Sequence, residues 1–96
     1  MNEIRRTPQF EKWIAGLTDE VAQARIEIRI LRMSFGLLGD VKPVGQGVSE
    51  MRIDYGPGYR VYFCKRGKAL IFLLAGGNKS TQERDIRNAL KLADTL

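Results

Sequence analysis

The chain has 96 residues, 44% of them apolar, and carries 16 Lys and Arg against 11 Asp and Glu, a net charge of +5. That length makes a single domain, residues 1–96, with a thin core that buries only about 60–65% of the unfolded surface. No histidine and one cysteine nearly exclude a zinc site of ordinary ligand type and rule out Ser-His-Asp and Cys-His catalysis.

Glu3 to Thr7 reads as a short edge strand. Pro8 suits the first position of a helix with Thr7 as its cap. Phe10, Trp13, Ile14 and Leu17 recur at helical spacing, and Gly16 closes the segment. A second helix is expected from Thr18, its cap, to about Gly36. Ile26-Glu27-Ile28-Arg29-Ile30 alternates like a strand, but no Gly or Pro interrupts Thr18 to Phe35. Ile26, Ile30, Met33 and Leu37 then form an apolar stripe, and Arg25, Arg29 and Arg32 a basic one. Only two or three residues separate the helices, so they form an antiparallel hairpin. Asp40 to Val44 is a short strand made irregular by Pro43. Val48–Tyr55 and Tyr59–Lys65 are strands joined by Gly56-Pro57-Gly58 as a hairpin. Ala69 to Ala75 is continuously apolar, as in a central strand covered on both faces, and Cys64 in its apolar strand is expected in the core. Ser80-Thr81-Gln82-Glu83 matches a capping box at the start of a last helix, whose buried face is Ile86, Leu90 and Ala93. The order is β-α-α-β-β-β-β-α, an α+β fold with helices on one antiparallel sheet.

The charge is unevenly placed. Arg52, Arg60, Lys65, Arg66, Lys68 and Lys79 face a single anion, Asp54, between positions 52 and 79, so that segment holds the whole excess. A basic patch interleaved with Tyr55, Tyr59 and Tyr62 points to nucleic acid or to an acidic protein partner. Strand alternation puts Arg52 and Asp54 on one face, with Met51 and Ile53 opposite. Arg60 shares a face with Tyr62, opposite Tyr59, Val61 and Phe63. The hairpin therefore brings Arg52 and Arg60 together, and Lys79 joins them after Gly76-Gly77, where a backbone can approach closely. Guanidinium groups match phosphate oxygens bidentately. RNA can be cut without histidine or metal, because its own 2′-OH attacks the adjacent phosphate once aligned and charge-stabilised. The expected catalytic residues are Arg52 and Arg60 on the phosphate and Lys79 for charge stabilisation or proton transfer. Tyr55 and Tyr59 would stack bases, Lys65 and Arg66 would add RNA contacts, and Asp54 would orient Arg52. No metal or cofactor is expected. No apolar run reaches the ~18 residues of a membrane span, no signal peptide is visible, and a lone cysteine fits a reducing cytoplasm.

Several blocks, taken in order, resemble one family. They are Phe10 and Trp13 before Ile14-Ala15-Gly16-Leu17, the stretch Gly36 to Gly45, Glu50-Met51-Arg52-Ile53, Gly56-Pro57-Gly58-Tyr59-Arg60-Val61-Tyr62, and Gly77-Asn78-Lys79-Ser80-Thr81-Gln82 with Asp85-Ile86. Together they are similar to RelE/ParE-superfamily toxins, in particular the HigB-like, phage Gp49-like "addiction module killer" branch. The resemblance implies a RelE-like fold, with an N-terminal strand and helical hairpin on a small antiparallel sheet and a C-terminal helix. It implies a type II toxin that cuts mRNA, often on the translating ribosome, and is held by a helix-turn-helix antitoxin through which alone it meets DNA. Relatives differ in target. The alternatives are a non-enzymatic toxin that binds a protein such as DNA gyrase, or an inactive phage-derived homologue. Some members use site histidines, and that chemistry cannot apply here.

Overall fold

The computed structural model describes all 96 residues. Strand β1 (Glu3–Arg6) is followed by helices α1 (Pro8–Ala15) and α2 (Glu20–Ser34). Strands β2 (Val41–Gly45), β3 (Val48–Ile53), β4 (Tyr59–Arg66) and β5 (Leu70–Asn78) come next, then a single 3-10 turn, Lys79–Thr81, and helix α3 (Gln82–Ala93). The order and the α+β class are those read from the sequence. No helix is long and apolar enough to cross a membrane.

The sheet runs β1-β5-β4-β3-β2. It is mixed rather than antiparallel, because β1 lies parallel to β5, with Glu3 opposite Leu70 and Arg6 opposite Leu73. No turn constrains this pairing, so tertiary packing sets its direction. Running parallel, β1 delivers Thr7 to the carbonyls of Leu73 and Leu74, to which its hydroxyl donates at 2.8 and 2.9 Å. The same oxygen accepts from the Phe10 amide, capping α1. Helix α1 then lies over the far half of β5, where Trp13 sits on Gly76.

Two cores flank the sheet. Phe10, Ile14, Ile26, Ile30 and Met33 of the hairpin pack on Met51, Ile53, Tyr59, Val61, Phe63, Ile71 and Leu73. On the other face, α3 covers Val48, Tyr62, Cys64 and Leu74 with Ala89 and Ala93, while Ile86 and Leu90 pack at its margin. Both sides of β5 are thus covered, which explains its unbroken apolar sequence. A register shift beside Tyr62 and Phe63 leaves Leu74 as an extra residue on β5, so that Leu74 and Ala75 both face the α3 core while Leu73 faces the hairpin.

Three local expectations need correction. Asp19, not Thr18, caps α2, its carboxylate accepting from the amides of Val21 and Ala22 at 3.0 and 3.1 Å. A carboxylate beside the positive end of the helix wins over a hydroxyl one residue earlier. Leu37 lies beyond the end of α2 and is exposed, so the buried stripe is Ala22, Ile26, Ile30 and Met33. Asn78, not Ser80, begins the last helical segment: its side chain accepts from the Ser80 amide, and Thr81 answers the Asn78 amide.

Candidate functional site

Arg52 on β3 pairs directly with Arg60 on β4, and Arg60 pairs with Gly77 on β5. Neighbouring strands lie about 4.8 Å apart, so the two arginines rise side by side from the face that α3 partly covers. Glycine at position 77 puts no side chain of β5 against Arg60. Lys79 enters at the end of β5, its amide donating to the Pro57 carbonyl at 3.4 Å. The Gly56-Pro57-Gly58 turn closes the end, with Gly58 at φ +78°. The result is an open cleft of about 330 Å3 lined by Asp40, Arg52, Asp54, Gly58, Arg60 and Lys79.

Each cation is held differently. Arg52 is exposed and donates from Nη2 to Asp40 Oδ1 at 2.7 Å and from Nε at 3.2 Å. That hydrogen bond is the main reason its pKa is raised, followed by the charge of Asp40. Asp40, rather than the expected Asp54, therefore orients Arg52, and Asp54 stands exposed on the cleft wall. Lys79 is exposed.

Arg60 is 12% exposed and its Nη1 donates to the Gly58 carbonyl at 2.7 Å. Its Nε lies 3.5 Å from Oε1 of Glu50, a residue only 1% exposed. The contact has an ion pair's distance but no hydrogen bond, so the buried Nε–H lacks an acceptor. Glu50 Oε2 accepts instead from Gln82 Nε2 at 2.8 Å and from the Tyr62 hydroxyl at 3.3 Å. Burial, and then the charge of Glu50, push the Tyr62 phenol well above its ordinary pKa. Glu50, Tyr62 and Gln82 thus form a buried acidic floor beneath Arg60. The sequence reading missed this floor and gave Glu50 no role in the site. The signal was present in the register: Glu50 sits two residues before Arg52 on its face and directly opposite Tyr62.

Other sequence candidates lie elsewhere. Tyr59 is buried against the edge of Trp13, with ring centroids 6.3 Å apart, and has no face free for a base. Tyr55 is half-buried, its hydroxyl donating to Asp19 Oδ2 at 3.1 Å and its ring lying under the Arg25 guanidinium at 4.7 Å. Desolvation, then that hydrogen bond, raise its pKa. Lys65 and Arg66 are at the opposite end of β4, five or six residues from Arg60, or roughly 17–20 Å along a strand. Arg66 donates to the Ala93 carbonyl at 3.1 Å, so it ties down the end of α3. The basic segment is therefore split between two ends of the sheet, because a strand-turn-strand chain returns its charges to opposite poles.

The paired glycines also serve packing rather than a ligand. A Cβ on Gly76 would stand 2.0 Å from the Trp13 ring, and one on Gly77 would stand 1.7 Å from Asp85 Oδ2. Asp85 is buried, accepting from the Thr81 hydroxyl and from Arg84. On the hairpin side, Arg29 donates to the carbonyls of Arg52 at 2.7 Å and Leu38 at 3.3 Å, fixing α2 to the rim of the cleft. Desolvation lowers its pKa, but an arginine so high in pKa stays charged. A second hollow of about 230 Å3, lined by Arg25, Ile28, Arg29, Arg32, Ile53 and Asp54, adjoins the first across Ile53 and Asp54.

No protein-family model matches the chain. An uncharacterized protein of Haemophilus influenzae is 46% identical to it over 94 residues, covering 98% of this chain and 95% of the relative. At that identity over nearly the full length of both, the chain belongs to the same family as the Haemophilus influenzae protein.

Proposed function

We propose that this protein is the toxin of a type II toxin-antitoxin pair and acts as a metal-independent endoribonuclease on mRNA. The observation that carries the reading is the convergence of Arg52, Arg60 and Lys79 on one open cleft. Two guanidinium groups and an ammonium on one wall suit a phosphodiester that gains charge as it reacts. In the reaction the 2′-oxygen bonds to phosphorus and the bond from phosphorus to the 5′-oxygen breaks. Arg60, held from below by Glu50, and Arg52, held from the side by Asp40, take the phosphoryl oxygens. In this reading Lys79, on the cleft wall, meets the leaving 5′-oxygen and supplies charge or a proton. Asp54, exposed on the same wall and not committed to Arg52, is the carboxylate placed to take the 2′ proton.

The resemblance in the sequence blocks adds the setting: the bacterial cytoplasm, mRNA on the ribosome as substrate, and an antitoxin of helix-turn-helix type. A partly acidic antitoxin segment suits the cationic wall of the cleft. The test is induced expression in bacteria with primer extension on cellular mRNA, alongside cleavage of a defined RNA by the purified protein in chelator. Growth arrest with discrete cuts, absent in Arg60→Ala, Arg52→Ala and Lys79→Ala, is the expected result. Normal growth with abundant folded protein overturns the toxin reading. Arrest by all three variants without any RNA cut replaces the ribonuclease with a toxin that seizes a protein target.

A further inference from the structure

The outward face of α2 carries a pattern that neither the fold nor the cleft uses. Val21, Ile28, Leu31 and Phe35 are 52%, 48%, 59% and 58% exposed. With Ala24, also exposed, they follow the spacing 21-24-28-31-35. In heptad terms this is a-d-a-d-a, the seam of a coiled coil. The inward face of the same helix uses a different set, Ala22, Ile26, Ile30 and Met33. Helix α2 is therefore apolar on two opposite sides, and its own fold covers one.

The charges bordering the outer stripe are sorted by edge. Glu20 and Glu27 fall at g positions, Arg25 and Arg32 at e positions. In a parallel pair of helices, the twofold axis runs along the helices and sets each g residue against the next e residue of the other copy. Glu20 then meets Arg25 of the second copy, and Glu27 meets Arg32. In an antiparallel pair the axis crosses the helices and brings like edges together, Arg against Arg and Glu against Glu. β-Branched Val21 and Ile28 at a, with Leu31 at d, also favour two parallel strands. We propose that the protein pairs with a second copy of itself through α2, in a parallel two-stranded seam made by Val21, Ala24, Ile28, Leu31 and Phe35.

Contacts within the chain leave these charges able to take part. Glu27 already accepts from Arg6 on both oxygens, from Nη1 at 2.9 Å on Oε2 and from Nη2 on Oε1, and each oxygen keeps a second lone pair for a donor of the other copy. Arg25 uses the face of its guanidinium on Tyr55, which leaves its N–H edge free to donate. Arg32 makes no ion pair within the chain. The seam is two heptads long and both copies carry +5. It therefore belongs with small interfaces, under about 1,200 Å2, of the weak, transient kind.

Sedimentation equilibrium of the intact protein from about 10 µM to 1 mM tests the proposal, and a monomer–dimer equilibrium is expected. Leu31→Glu and Phe35→Ser alter exposed side chains, so circular dichroism should show both folded, and each should weaken pairing at least tenfold. Orientation is read from Val21→Cys. In a parallel pair the two new thiols face each other and oxidise to a disulfide dimer. In an antiparallel pair centred on Ile28 they would stand roughly 21 Å apart at 1.5 Å per residue, beyond the ~7 Å a disulfide spans. Native Cys64 is fully buried and does not compete. A monomer at 1 mM, a dimer indifferent to both substitutions, or a Val21→Cys dimer that forms no disulfide on oxidation overturns the parallel α2 seam. The first of these outcomes leaves the stripe to a helix of another protein.

Discussion

Arg60→Ala separates two jobs that one side chain performs. Removing the guanidinium leaves Glu50, 1% exposed, with its two neutral donors but no cation. Breaking a buried ion pair from one side costs about 3–5 kcal/mol. Here the pair is loose at 3.5 Å and lies under an open cleft that admits water, so the lower end, about 3 kcal/mol, is expected. In a domain this size that lowers Tm by about 12–24 °C, at about 4–8 °C per kcal/mol. The variant therefore folds at 25 °C but is markedly less stable. The loss of a phosphate-stabilising group should reduce cleavage about 10²–10³-fold. The double variant Glu50→Gln/Arg60→Ala separates the effects. Its floor is neutral and its Tm should recover at least half of the loss, while cleavage stays low. Thermal unfolding and RNA cleavage on wild type, both singles and the double decide the matter. An Arg60→Ala protein as stable as wild type would refute the buried-pair reasoning. Folded Arg60→Ala that cuts RNA at the wild-type rate, or a double variant that regains cleavage along with stability, would refute the site.

Arg52→Ala should hardly move Tm, since its pair with Asp40 is exposed, but should lower cleavage about 100-fold, checked by the same two assays. Lys65→Ala with Arg66→Ala should leave the cleavage rate within about twofold of wild type, because both residues stand at the far pole of the sheet; a loss beyond tenfold without unfolding would extend the site there. Gly77→Ala should give a grossly destabilised or insoluble protein in expression and unfolding assays, since its Cβ would enter the Asp85 carboxylate at 1.7 Å and neither α3 nor β5 can yield cheaply. Stability should fall at alkaline pH: the folded-state pKa values of Tyr62, Tyr55 and Cys64 are all raised, chiefly by burial. The unfolded chain then releases protons first, so stability is intact below about pH 8.5 and declines as pH rises through about 10. Tyr62→Phe should flatten the upper part of that decline in urea unfolding curves, and an unchanged slope would count against its burial beside Glu50.

The features legible in the chain were those written in consecutive residues. Pro8 after Thr7 marks a helix start because ring geometry and a hydroxyl cap are local. The Gly56-Pro57-Gly58 turn fixes the β3–β4 register within a few residues, so the Arg52–Arg60 pairing followed from alternation alone. The apolar run of β5 announced a strand covered on both faces. The hairpin period survived the strand-like Ile26–Ile30 because a 15-residue helix outweighs five alternating positions. What only tertiary structure decided lies between segments distant in sequence. The parallel direction of β1 follows from where α1 must land. The use of Gly76 and Gly77 follows from Trp13 and Asp85 arriving from opposite faces. Asp40 displaced Asp54 as the partner of Arg52, and Glu50 became the floor of Arg60 once Tyr62 and Gln82 closed over it. Tyr59 went into the core while Tyr55 stayed at its edge, although both sit beside the same turn. Local spacing fixes which face a side chain leaves from; which neighbour meets it there, and whether water still reaches it, depends on elements that the chain brings back from far away.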